Sequence, residues 1–255
     1  MLDSVDGAEE LAVIVEPSPR PGGMRRLRCS VVTVSLLFDL DGTLIDSVYQ
    51  HVLAWRDALD AEGMELAAWV IHRKIGMSGG LAARSLVRES GRPIDAALAE
   101  RLRQGHAAAF TRYDHAVRPL PGAVELLRYL EERGVPWAIA TSGLMETARA
   151  GLASLGVDPE RHVVITRDLV ARAKPDPDLF VAAARELGAD PLEAVVVGDS
   201  VWDLLAAQRG RFIGVGLLSG GYGRAELVGA GAYRVYDDPG DLLAHLDEVG
   251  ARSSD

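Results

Sequence analysis

Residues 31–47 read VVTVSLLFDLDGTLIDS. An apolar, β-branched run stops abruptly at Asp39, passes one leucine, delivers Asp41 and turns at once on Gly42. Such a run is the pattern of a strand buried on both faces, the kind found in parallel sheets covered by helices. Residues two apart on a strand share a face, so Asp39 and Asp41 point into one pocket if strand geometry persists that far. In an open parallel sheet, ligands bind beyond the carboxyl ends of the strands. The two acids therefore stand where chemistry is expected.

The rest of the chain supplies the partners of that strand. After Pro121, the short apolar runs VPWAIA (135–140), HVVI (162–165), AVVV (194–197) and FIGV (212–215) alternate with amphipathic helical stretches. These are AVELLRYLEERG, METARAGLASLG, PDLFVAAARELG and VWDLLAAQRG. The alternation predicts an α/β fold with a doubly wound, Rossmann-like parallel sheet. Residues 47–118 read as helical throughout. VYQHVLAWRDALDAEG repeats Val48, Val52, Trp55 and Leu59 at helical spacing and closes on Gly63, and a long alanine-rich helix follows Pro93. The expected organisation is a core of residues 31–46 and 119–255 with an all-helical cap, 47–118, inserted after the first strand. Residues 1–30, with the stretch EPSPRPGGMRRLR, read as a poorly ordered extension, and Met24 offers an alternative start.

The predicted strands end in a consistent set of side chains. VPWAIA runs into Thr141 and Ser142; AVVV runs through Gly198 into Asp199, with Asp203 one helical turn on; Lys174 precedes Pro175 at the start of a helix. Any one of these aspartates has an ordinary alternative as a helix or turn cap. Four together, with a lysine and a threonine, require more. Carboxylates brought this close repel unless a cation lies between them, and an oxygen-only set favours magnesium over zinc.

At these positions the chain resembles the haloacid dehalogenase superfamily. FDLDGTLIDS matches its DxDGT signature, and AIATSG, AKPDPDLF and VVVGDSVWD match its second, third and fourth motifs in order. The resemblance implies a phosphatase of the phosphoglycolate phosphatase or β-phosphoglucomutase-like subfamily. It implies Asp39 as nucleophile, forming an aspartyl-phosphate, and Asp41 as general acid and then base. It implies magnesium held by Asp39, the backbone carbonyl of Asp41, and Asp199, with Thr141, Ser142 and Lys174 binding phosphate oxygens. Asp203 would orient Lys174 or a metal-bound water. The second acid of the signature, Asp41, distinguishes phosphoryl chemistry from dehalogenation.

The insert bears on substrate. In IHRKIGMSGG (71–80), His72, Arg73 and Lys74 are the cap residues expected to face the cleft and set specificity. Ser78, Gly79 and Gly80 stand where phosphonate-cleaving relatives carry a lysine, and Gly79 where phosphoglucomutase-like relatives carry an arginine. The first feature argues against phosphonate cleavage and the second against a sugar phosphomutase, while hydrolysis of a small phosphomonoester, phosphoglycolate or a sugar phosphate, is compatible with both. A phospho-accepting signalling module is the rival from another class; it lacks a built-in proton donor and a lid. Trp55, Trp69 and Trp137 read as core packing, Trp202 as a wall of the pocket, and His51, His106 and His115 as too scattered for a metal site.

Composition limits the partners. The formal net charge is −10, from 27 basic and 37 acidic side chains, which argues against broad nucleic-acid binding. An anionic metabolite remains compatible, because a metal ion and a lysine reverse the sign locally. No apolar run is long enough for a membrane span and the N-terminus shows no secretory pattern. The lone Cys29, beside the first strand, forms no intrachain disulfide. A cytoplasmic monomer or homodimer is expected.

Overall fold

The computed structural model describes residues 34–251; the expectations for residues 1–30, Cys29 among them, fall outside it. In chain order the elements are β1 (Ser35–Phe38), β2 (Ile45–Asp46), α1 (Val48–Ala61), α2 (Ala68–His72), α3 (Gly79–Glu89), α4 (Ala96–Phe110) and β3 (Arg118–Pro119). Then follow α5 (Ala123–Glu132), β4 (Trp137–Ala140), α6 (Met145–Ser154), β5 (Val164–Ile165), α7 (Asp178–Leu187) and β6 (Ala194–Gly198). The chain closes with α8 (Val201–Gly210), β7 (Ile213–Leu217), α9 (Arg224–Gly229), β8 (Ala232–Tyr236) and α10 (Pro239–Ala244).

Six strands form one parallel sheet in the order β5–β4–β1–β6–β7–β8. β1 is central, with Leu37 opposite Ala138 on one side and Val196 on the other. The chain builds outward from β1 through β4 to β5, then crosses to β6 and builds the other way. That reversal creates a crevice beyond the carboxyl end of β1, the place where such sheets bind ligands. Leu36 and Phe38 pack with Leu126, Leu130 and Leu152 on one face of the sheet; Leu37 packs with Leu179 and Phe180 on the other. Each fully buried Leu or Phe contributes roughly 1.5–3 kcal/mol, so a strand apolar on both faces is anchored from both sides. The two acids that follow inherit that rigidity.

Helices α1 to α4 lie between β2 and β3, whose antiparallel pairing of Ile45 with Pro119 and Asp46 with Arg118 closes the neck of the insert. The helices have an apolar core of their own, including Val52, Leu59, Ile71, Leu86 and Leu102. Asp95 starts α4 by accepting hydrogen bonds from the backbone N–H groups of Ala97 and Leu98. The helix ends at Phe110, where a turn and the 3₁₀ segment Asp114–Ala116 bring the chain back toward β3. Trp69 corrects the core assignment: it is 70 % exposed, whereas Trp55 and Trp137 are buried. No helix among the described residues is long and apolar enough to cross a membrane.

Candidate active site

The ladder of β1 continues one residue past the strand, with the Asp39 N–H donating to Val197 O at 2.9 Å. The backbone then folds tightly: Leu44 N donates to Leu40 O at 2.9 Å and Gly42 N to Ile45 O at 2.8 Å. Gly42 has φ +84°, and a Cβ there would lie 2.6 Å from Asp199 Oδ2. Gly220 approaches still more closely; a Cβ on it would sit 1.7 Å from the same oxygen. Both positions exclude a side chain and so leave room for the Asp199 carboxylate, which accepts from Thr43 Oγ1 at 2.9 Å.

Asp39, Asp199 and Asp203 are buried together, each offering a carboxylate oxygen within 4.8 Å of the others. One cation faces them. The Lys174 ammonium, itself fully buried, donates to Asp39 Oδ1 and stands 2.8 Å from Asp203 Oδ1. Asp203 is held in turn by the Ser200 N–H at 3.1 Å. Burial pushes the Asp39 carboxyl up to about 7, with the charges of Asp203 and Asp41 adding to the rise and Lys174 opposing it. Burial likewise raises Asp199 well above the ordinary range, helped by Asp203 and Asp39. For Lys174, burial alone would lower the pKa; Asp203 and Asp39 overcome it and hold the ammonium above its ordinary value. Three buried acids against one lysine leave an excess of negative charge. Their oxygen-only donor set, without histidine or cysteine, fits a hard divalent cation.

The Asp41 side chain lies outside that group. Its Oδ1 accepts from Ser47 Oγ at 2.7 Å and stands 3.2 Å from His51 Nε2, while Thr141 Oγ1 reaches Oδ2 at 3.4 Å. Burial would raise this carboxyl, but His51 and Ser47 outweigh it and hold it at about 2. The Thr141 hydroxyl also accepts from Gly143 N at 2.9 Å, and Ser142 Oγ donates to Gly76 O at 3.0 Å. Above them opens a cavity of about 600 Å³ between the sheet edge and the helical insert, lined by Asp39, Asp41 and Ser142 below and by residues 74–81 above.

With four acids, a lysine and a threonine converging at the tip of β1, residues 35–211 match the family model of the haloacid dehalogenase-like hydrolases. The chain belongs to that family. It is 36% identical over 184 residues to hexitol phosphatase A of Escherichia coli (strain K12), spanning 68% of this chain and 76% of that one. It is 32% identical over 216 residues to a phosphoglycolate phosphatase of Caulobacter vibrioides, spanning 83% and 86%. A solved hydrolase from Pseudomonas syringae superposes with a TM-score of 0.83 at 56% identity, covering 85% of this chain and 99% of the other. This haloacid dehalogenase-like hydrolase is accordingly a phosphoric monoester hydrolase.

Of the three cap residues expected in the cleft, only Lys74 lines the cavity, paired with Glu89 at 2.8 Å. His72 is buried at the seam between insert and core, its Nε2 2.8 Å from Gly220 O and its ring stacked on Tyr49. Arg73 pairs with Glu226 at 2.8 Å and lies over the Tyr222 ring. Trp202 and Tyr222 both donate to Arg73 O at 3.2 Å, so Trp202 ties the insert down rather than walling the cavity. The physical reason is that residues 72–73 end α2, and that end packs against the loop after β7. A helix end so placed meets the core before it meets the cleft.

His51 and His106 join no candidate metal group among the described residues, yet the structure brings them to the site. Remote in sequence, they meet where α1 packs on α4, with His51 Nδ1 3.1 Å from His106 Nε2, and His106 stacks on Trp55. A signal was present: Ser47 begins α1 and His51 lies one turn on. Side chains lean toward a helix N-terminus, so both can reach back to Asp41.

The excess buried charge gives a test without turnover. A carboxyl whose pKa is raised on folding stabilises the fold below its unfolded pKa and loses that contribution as pH rises through the folded value. Asp39 and Asp199 both shift upward. In chelator, the melting temperature should therefore fall from pH 5 to pH 8, and magnesium should raise it by more at pH 8 than at pH 5. Differential scanning fluorimetry reads both trends; a magnesium increment independent of pH would contradict the charge excess.

Proposed function

We propose that this hydrolase cleaves a small phosphomonoester, of the sugar-phosphate or phosphoglycolate type, in two steps through an aspartyl-phosphate on Asp39. The observation that carries the reading is the pairing of two differently placed acids at one strand end. Asp39 is buried beside Lys174, and Asp41 is held apart by Ser47 and His51. Carboxylates in such different surroundings suit different roles. Asp39 Oδ attacks phosphorus, and the bond to the leaving oxygen breaks as Asp41 delivers a proton to it. Asp41 then takes a proton from the water that attacks the phosphorylated Asp39, which releases orthophosphate and restores both carboxyl groups.

Lys174 and the hydroxyls of Thr141 and Ser142 bind the phosphoryl oxygens, and Asp203 steers Lys174 through their ion pair. Asp39, Asp199 and the backbone carbonyl of Asp41 would hold magnesium. When bound, magnesium neutralises charge on the transferring group. The binding of an anionic ester among four acids depends on that cation and on Lys174.

A panel of phosphate esters assayed with magnesium and with chelator tests the reading. Orthophosphate should be released catalytically from at least one sugar phosphate or from phosphoglycolate, and chelator should abolish release. Isomerised hexose phosphate without orthophosphate would point instead to a phosphomutase, and a single stoichiometric release to a phospho-accepting module.

A further inference from the structure

The cavity is large for a two-carbon ester, and beyond the β1 tip its wall carries more cations than carboxylates, the latter being Asp168 and Asp176. A volume of about 600 Å³ lies within the ~300–1,000 Å³ range of pockets that enclose drug-sized ligands. Five cationic side chains line it, Lys74, Arg84, Arg103, Arg167 and Arg172, in a protein whose formal net charge is −10. Three of them are balanced by carboxylates: Lys74 by Glu89, Arg103 by Glu100 at 2.6 Å and Arg172 by Asp178 at 3.4 Å. Arg167 donates only to neutral carbonyls, those of Val170 and Ala171. Arg84 has no hydrogen-bond or ion-pair partner among the described residues.

The position of Arg84 follows from helix geometry. In α3, Ala82, Ala83, Leu86 and Val87 face the apolar core of the insert. Gly80, Leu81 and Arg84, three and four residues apart, form the other face and line the cavity. Across from them the stem of Arg103 lies over Gly79, its Cγ 3.5 Å from where a Cβ would be. The loop position that carries no cation is thus covered by one from α4, and Glu100 already engages it. Two guanidinium groups thus lack a carboxylate: Arg167, already engaged by the carbonyls of its own loop, and Arg84 on α3, on the insert's side of the cavity, engaged by nothing among the described residues.

We infer that Arg84 recognises a second anionic group, a carboxylate or a second phosphate, at the distal end of a sugar-sized leaving group. The inference rests on the phosphatase reading above and narrows its substrate class. A guanidinium pairs bidentately with planar carboxylates and with phosphate oxygens, and a preformed cation facing an acidic cleft floor favours a ligand with charge at both ends.

The full chain with magnesium is assayed on gluconate 6-phosphate, glucitol 6-phosphate, fructose 1,6-bisphosphate and p-nitrophenyl phosphate. The first two share a carbon chain and differ in the terminal carboxylate. Gluconate 6-phosphate or the bisphosphate should exceed glucitol 6-phosphate in kcat/KM by about tenfold or more, and which of the two does so identifies the anion. Arg84→Gln should erase that preference mainly through KM, and Arg84→Lys should keep a substantial part of it. Equal kcat/KM for charged and neutral esters, or an equal loss on both in Arg84→Gln, would overturn the inference while hydrolysis of p-nitrophenyl phosphate leaves the phosphatase reading standing. No hydrolysis of any of the four would overturn both.

Discussion

Replacing Asp39 by asparagine should lower kcat by about 10⁴-fold or more, the scale on which loss of a covalent nucleophile acts. The amide occupies the same space but does not attack phosphorus. The fold should survive, and the reason is specific to this site. Asp39 is one of three clustered buried carboxylates, two of which, Asp39 and Asp203, pair with Lys174. Removing its charge relieves repulsion with Asp199 and Asp203 and leaves Lys174 paired with Asp203. In chelator, Asp39→Asn should therefore melt no lower than the wild type, and its loss of stability between pH 5 and pH 8 should be shallower. Steady-state assay with p-nitrophenyl phosphate, circular dichroism and a hydroxylamine-labile phosphate trap after acetyl phosphate together test the assignment. Turnover by Asp39→Asn above about 1% of wild type, or trapped phosphate on that variant, would remove Asp39 from the nucleophile's role.

The parts of this site that could be read from sequence are those carried by the sheet. β1, β4 and β6 are nearly unbroken apolar runs, so their ends were visible, and with them Asp39, Thr141 and Asp199. β8 escaped because AYRVY lies at the sheet edge with its first three residues partly or fully exposed, and it lacks a continuous apolar run. β2 and β3 are two residues each and have no periodicity to detect. What the sequence concealed was which side of each helix meets the cleft. The basic triplet 72–74 looked like a cleft-facing group, yet the end of α2 turns His72 and Arg73 into the seam with Gly220 and Glu226. His51 and His106 looked unrelated because only the packing of α1 against α4 joins them. Local pattern reports periodicity and ends; it does not report how two helices cross. Which side chains face the cleft depends on how the helices are placed, and Arg84, on the cavity face of α3, is one that the sequence pattern did not single out.

The second large effect concerns the proton. In Asp41→Asn the nucleophile, Lys174 and the acidic cluster remain, so the expected result depends on the leaving group. An alkyl ester such as a sugar phosphate departs as a strongly basic oxygen and needs the proton. Loss of a positioned acid costs about 10²–10⁴-fold, and hydrolysis of such esters should fall by that amount or more. p-Nitrophenol leaves as a stabilised anion and needs no donor, so the first step with its ester should survive. The second step, attack of water on the phosphorylated Asp39, still lacks its base. Rapid mixing of Asp41→Asn with p-nitrophenyl phosphate should therefore give a burst approaching one equivalent of nitrophenol, followed by a slow phase, with phosphate trapped on the protein. His51 and Ser47 hold the Asp41 carboxyl at about 2 in the resting protein. Asp41 thus starts as a base and acts as an acid only when its surroundings change with the ester bound. If Asp41→Asn instead slowed alkyl and aryl esters by the same factor with no burst, the residue would act in binding or folding and the proton would have to come from elsewhere.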